Sequence, residues 1–388
     1  QQENTKQRLS TKIINLWSWV LKRLQGIQFF WKIISFISLI ALSSCSSVKK
    51  MKIDEDCIKN ENFAEQIAQA EEYLVNCNFQ GTILVAQNKD IIYAKGFGLS
   101  DKNDKESPEN SINTTYEIGS ITKQMTGAAI MQLIEKKKLS PDTTIDKFFP
   151  NFEHGKNITV GMLINMRSGL YDYINAASDF FPKEIANKIE KQEYNNQPVE
   201  KNIVVDYLGQ TQTLTTPDTT FFYCNTDYYL LAKILEQVSG MSYKDYMKKY
   251  IFSPCGMTHT NCNFQETTAK GYDYKNHYYS FPEDFAIGCG DVNSNVVDLL
   301  KWNLQLSEGK VIKKKSYKKI ISEKNYSYGL IKNSNSVLHA GNTCVFNSYN
   351  VFNHKTKTSI IVLINQPVYK QNSSQIAEKI KNIFSFEY

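Results

Sequence analysis

The sequence predicts a mixed α/β (α+β) fold: an antiparallel sheet formed from N- and C-terminal strands, flanked by helices, with a mostly helical middle subdomain. Three observations predict it. Strand-like apolar runs bounded by turn residues lie at 79–98 and again at 346–365. Between them, apolar residues recur at helical spacing after Ser120, after Asn225 and after Ser294. Apolar residues make up 41% of the 388, enough to core one large domain or two modest ones.

The first segment, 1–44, reads as targeting rather than fold. Lys22, Arg23 and Lys32 precede an apolar run over 33–42, and small residues follow up to Cys45. The run is short for a spanning helix. Leu42-Ser43-Ser44-Cys45 resembles the bacterial lipoprotein box, which implies cleavage before Cys45, a lipid on its thiol and an extracytoplasmic, membrane-anchored domain. An uncleaved anchor is the alternative. The net charge of +6 arises mostly here: six Lys/Arg and one acid precede Cys45, leaving +1 for the remainder. No nucleic-acid footprint follows from that balance. The lysine-rich tract Lys310–Lys319 reads as a solvated loop or helix face.

Seven cysteines follow Cys45, an odd number, so disulfides would leave at least one thiol over. Cys57 with Cys77 and Cys255 with Cys262 are the pairs to test. No zinc spacing is present and the five histidines are scattered, so neither a metal nor another cofactor is expected.

Residues 45–78 hold a linker and an amphipathic helix, Glu61–Val75. Phe79–Ala86 and Ile91–Gly98 read as a hairpin turning at 87–90. Tyr116-Glu117-Ile118-Gly119-Ser120-Ile121-Thr122-Lys123 then opens a helix. Thr159 reads as the N-cap of a short helix closed by Gly169. The stretch 171–212 is an irregular helical insertion. A helix spans Asp227–Val238, and Ser294 caps another running to Leu306. Strands at Tyr326–Ile331, Phe346–Phe352 and Thr358–Asn365 precede a C-terminal helix, Ser374–Phe384. The folded domain thus covers 79–388.

Three places carry chemistry. Ser120 and Lys123 are three apart on one helix face, which brings the ammonium near the hydroxyl at a helix N-terminus. A serine hydroxyl is a weak nucleophile until a neighbour takes its proton. Tyr223-Cys224-Asn225 can project a phenol and an amide from one loop into a cleft. His339-Ala340-Gly341-Asn342 places a glycine where a ligand could approach the backbone. Each has a bland alternative: a capping serine, a solvated lysine, a packed tyrosine, a lone structural histidine.

In this order the three sites resemble those of the serine β-lactamase and penicillin-binding protein superfamily, most closely its class C-like branch. Leu163-Ile164-Asn165-Met166-Arg167-Ser168-Gly169-Leu170, Ile251–Met257 and Asp298-Leu299-Leu300-Lys301-Trp302 resemble that branch's connecting segments. The resemblance covers roughly 79–365 and implies a β-lactamase/transpeptidase-like fold. It implies Ser120 as nucleophile, Tyr223 as proton acceptor held near Lys123, and Asn225 as a substrate donor or the residue that orients Lys123. It further implies an oxyanion hole from the backbone N–H groups of Ser120 and Asn342, and the third motif at His339 and Gly341. The substrate classes implied are a peptidoglycan stem peptide, an ester or a β-lactam. Histidine at 339, where β-lactamases carry lysine, weakens a carboxylate site, and Asn342-Thr343-Cys344-Val345 replaces a glycine-rich run. Both argue against efficient β-lactam hydrolysis. The alternative is a non-catalytic envelope lipoprotein that binds peptidoglycan peptides or β-lactams.

Overall fold

The computed structural model describes residues 57–175, 203–210, 212–273, 275–278, 284–323, 325–343, 345–366 and 372–386, with 183 and 186. The targeting segment, Cys45 and most of the 171–212 insertion lie outside the described residues.

The frame is an eight-stranded antiparallel sheet, ordered β1-β3-β2-β10-β9-β8-β7-β6. Its strands are β1 (Cys57–Lys59), β2 (Gly81–Gln87), β3 (Asp90–Phe97), β6 (Tyr326–Ser327), β7 (Leu330–Asn333), β8 (Ser336–Asn342), β9 (Asn347–Asn353) and β10 (Thr358–Ile364). The N-terminal hairpin joins the C-terminal strands where β2 pairs with β10, Val85 opposite Ile360 and Ile83 opposite Val362. Every residue of β10 is buried. A strand covered on both faces reads as a continuous apolar run, as Thr358–Ile364 does.

One face is covered by α1 (Ala64–Asn76) and α6 (Ser373–Ile383). Ile67, Ala70 and Leu74 of α1 meet Ile376, Ala377 and Ile380 of α6 over Ile83, Val85, Ile360 and Val362. Asn372 starts α6 with a capping box that includes Gln375. The other face carries α4 (Val296–Glu308), which packs on β10 and β2, while α2 (Thr122–Glu135) and α3 (Asn225–Ser239) pack against each other.

Several elements differ from expectation. The single strand at Tyr326–Ile331 is a tight hairpin, β6 and β7, turned by Tyr328 and Gly329 at positive φ. Asn295, not Ser294, caps α4: its side chain accepts from the Asp298 N–H at 2.8 Å. Ser294 instead belongs to β5 (Asn293–Ser294), which pairs with β4 (Tyr116–Glu117) and holds the approach to Ser120. By contrast, the lysine-rich tract presents a solvated helix face as expected: α5 (Lys314–Ser322) keeps its lysines exposed and is anchored by buried Tyr317 and Ile320. Neither expected disulfide forms. Cys77 is a thiol that donates to the Leu74 carbonyl at 3.4 Å. Cys255 and Cys262 are separate buried thiols. Both behave as small apolar residues, and burial pushes Cys255 up to about 12.

Candidate active site

Ser120 lies in a 3₁₀ turn, Gly119–Ile121, that runs directly into α2. The turn is held from two sides. The Ile118 N–H donates to the Val292 carbonyl at 3.0 Å. The Ile118 carbonyl accepts from Ser348 Oγ of β9 at 2.7 Å. Gly341 is needed here for a reason the sequence reading missed. A Cβ on it would stand 2.0 Å from the Ile118 carbonyl oxygen and 2.4 Å from Ser348 Oγ. Its missing Cβ lets β8 approach the serine turn closely. Gly119, at φ +51°, would direct a Cβ to 2.9 Å from the Asn342 nitrogen. Two glycines thereby set the Asn342 N–H beside the serine turn.

Lys123 is wholly buried. Its Nζ contacts three oxygens: Ser120 Oγ at 2.9 Å, Asn225 Oδ1 at 2.7 Å and the Cys289 carbonyl at 2.7 Å. The structure brings Ser120, Lys123 and Asn225 together across 102 residues of chain. Tyr223 precedes α3 and packs its ring against the same ammonium, 5.0 Å from Nζ to the ring centroid. Its ring also neighbours those of His339 at 6.0 Å and Tyr326 at 6.3 Å.

His339 is 2% exposed. Its Nδ1 lies 2.6 Å from the Ala340 carbonyl, which can only accept, so Nδ1 carries the hydrogen. Nε2 is then an acceptor, and among the described residues it is buried without a hydrogen-bond partner. Burial first, and the Lys123 charge second, push the imidazole down to about 3. His339 is therefore neutral at physiological pH.

These groups line an open cleft of about 420 Å³, with Ser120, Tyr223, Asn225, Cys289, His339 and Asn342 among its walls. Among the described residues, none of those lining the cleft is an aspartate, glutamate, lysine or arginine.

Two features were not singled out from sequence. The Cys289 carbonyl belongs to a glycine-rich turn, Gly288-Cys289-Gly290-Asp291. Thr126 Oγ1 fixes that turn by donating to the Gly288 carbonyl at 2.7 Å, and the Gly288 N–H donates to Asp291 at 3.0 Å. Asp172, 3% exposed, accepts from both the backbone N–H and the Nδ2 of Asn225 at 3.0 and 2.9 Å. An aspartate two residues before Ile174 is a standard turn former, which was the available signal.

A serine turn at a helix start, a buried lysine in contact with it, and a tyrosine and asparagine from a second helix start define a serine acyl-transfer type of site. The comparisons with known proteins agree with that class. The Beta-lactamase family model matches residues 67–382, and the chain belongs to that family. It is 29% identical to the putative penicillin-binding protein PbpX of Bacillus subtilis (strain 168), over 87% of this chain and 81% of that one. It is 26% identical to the teichoic acid D-alanine hydrolase of Staphylococcus aureus (strain MRSA252), over 65% of this chain and 60% of that one. Among solved structures, the octameric penicillin-binding protein homologue from Pyrococcus abyssi aligns with a TM-score of 0.69 at 26% identity, covering 83% of this chain and 77% of that one.

Proposed function

We propose that this protein is a serine hydrolase that forms an acyl-enzyme on Ser120 from ester or amide substrates lacking a required carboxylate, rather than a D-Ala-D-Ala carboxypeptidase. The observation that carries the hydrolase reading is the setting of Lys123 Nζ. Asn225 Oδ1 and the Cys289 carbonyl can only accept, so they take two N–H groups. The third direction faces Ser120 Oγ. With Nζ unprotonated, as this step requires, an amine so held would aim its lone pair at the serine proton. This gives Lys123 the proton-accepting role that the sequence reading assigned to Tyr223.

The steps follow. The Ser120 proton moves to Nζ as Oγ bonds to the substrate carbonyl carbon. The backbone N–H groups of Ser120 and Asn342 receive the oxyanion. Tyr223, packed against Nζ, passes a proton to the leaving group as its bond to carbon breaks, and regains one from Nζ. Water repeats the sequence and frees Ser120. The preference over a carboxypeptidase rests on His339, whose neutral ring supplies no cation for a substrate carboxylate. The name of the staphylococcal relative, a hydrolase that removes D-alanine from teichoic acid, is in keeping with that preference.

Incubation with a fluorophosphonate and with p-nitrophenyl acetate tests the reading. Wild type is expected to be labelled and to turn over the ester; Ser120→Ala is expected to do neither while keeping its melting temperature. Ester turnover undiminished in Ser120→Ala sinks it, and release of D-alanine from a stem peptide would restore the carboxypeptidase. We also propose that Cys45 carries a lipid that tethers the domain to a membrane on its extracytoplasmic side. Cys45→Ala should then move the protein from the membrane fraction to the soluble one.

A further inference from the structure

Asp172 does more than cap the start of α3. Its Oδ1 accepts from the N–H groups of Ile174 and Asn175 at 2.9 and 3.1 Å. Its Oδ2 accepts from the Asn225 N–H, from Asn225 Nδ2, and from Asn175 Nδ2 at 3.0 Å. Both oxygens act only as acceptors, so each asparagine must turn its NH₂ toward Asp172 and its carbonyl oxygen away. For Asn225 that oxygen meets Lys123 Nζ. Asn175 is exposed and lines the cleft that contains Ser120. Among the described residues, no donor is recorded on its Oδ1. One buried aspartate thus fixes two amides, one for the machinery and one for the cleft.

The result is an acceptor on the cleft wall with a carboxylate directly behind it. His339, also on the cleft wall, is neutral at physiological pH and adds no cation there. A wall that offers an acceptor backed by negative charge favours a cationic donor, since the charge-assisted hydrogen bond is the stronger kind.

We propose that Asn175 Oδ1, oriented and polarised by Asp172, binds the free α-ammonium group of an aminoacyl substrate. The inference rests on the hydrolase reading of Ser120 and narrows its substrates to single aminoacyl groups on a hydroxyl or an amine. A residue at the C-terminal end of a peptide is disfavoured, because its acyl donor has an amide nitrogen with no charge. Asn175 is a binding residue and takes no proton.

The test uses the full chain with D-alanine p-nitroanilide and N-acetyl-D-alanine p-nitroanilide. Wild type is expected to favour the free amine by at least about tenfold in kcat/KM, chiefly through KM. That KM should climb above about pH 8, where the substrate's α-amino group loses its proton. Asn175→Leu should erase the preference and the pH effect while changing hydrolysis of the N-acetyl substrate by less than about threefold, a bound set by Asn175 lying outside the proton-transfer groups. Equal rates on the two substrates, or a preference that survives in Asn175→Leu, overturn the inference and leave the Ser120 assignment standing. Turnover of p-nitrophenyl acetate with neither anilide cleaved also overturns it. Loss of all Ser120-dependent turnover removes the hydrolase reading, and this inference with it.

Discussion

The two faces of the sheet are built on different principles. The α1/α6 face is mainly apolar: Leu74, Ile83, Val362 and Ile380 pack together, and Tyr93 adds a hydroxyl that reaches Glu71 of α1. The α4 face carries a buried amide network instead. Asn303 of α4 and Asn350 of β9 exchange hydrogen bonds at 2.8 and 2.9 Å. Gln124 Oε1 accepts from Trp302 Nε1 at 3.1 Å and from Asn350 Nδ2 at 3.3 Å. Gln124 follows Lys123 in α2, so the network ties the helix that holds the active-site lysine to both α4 and the sheet. Apolar packing is non-directional and tolerates small displacements. Hydrogen-bonded amides fix distance and angle. The first face supplies stability; the second supplies stability and also sets where Lys123 stands.

That contrast can be broken by experiment. The largest expected effect is on the catalytic side. Lys123→Met should lower kcat by roughly 10²–10⁴-fold, the range for losing a general base. It should also lower the melting temperature, because Asn225 Oδ1 and the Cys289 carbonyl lose a buried partner. On the apolar face, Leu74→Ala should cost roughly 2–5 kcal/mol in denaturant unfolding and leave kcat unchanged. A matching loss of kcat would mean the two faces are coupled.

Asp291 sharpens the comparison through pH. Burial pushes its carboxyl up to about 7, with Asp284 adding to the rise and Lys244 and the Gly288 N–H opposing it. An acid raised in the folded state contributes stability that is complete below about pH 4 and is lost as pH rises through about 7. Across that window the wild type should lose stability relative to Asp291→Asn, by up to on the order of 4 kcal/mol. Parallel melting profiles of the two proteins from pH 4 to 8 would refute this. The smallest effect is expected at the amide network. Asn350→Ala should cost about 1–3 kcal/mol, because the Asn303 amide is left buried without its reciprocal partner. Here, unlike at Leu74, kcat should fall with stability. An unchanged kcat would show that Lys123 is held by its own three contacts alone.

Legibility in the sequence follows the same division. The hairpin at 81–97 and the strand at 358–364 could be read because a strand buried on both faces writes itself as an apolar run. The Thr159 cap could be read because its side chain acts on the N–H of Met162, three residues away. The Ser294 cap was misread by one residue, since Ser294 and Asn295 are both good caps and the pairing of β4 with β5 decides between them. The disulfides were misread because spacing does not encode whether two thiols share a side of the packing.

By itself the sequence determined the strand and helix pattern, the order of the three motifs, and the placement of Ser120 and Lys123 on one helix face. All of these rest on interactions within a few residues or on periodic burial. Only the tertiary structure decided the environment of those groups. It brought the Cys289 carbonyl to Lys123 across 166 residues, set Gly341 against the Ile118 carbonyl, and let Asp172 orient Asn175 and Asn225 together. It also enclosed His339, and that burial holds the imidazole well below its ordinary pKa. Such features depend on which distant atoms come into contact and on how much water is excluded around them, and neither is written in local spacing.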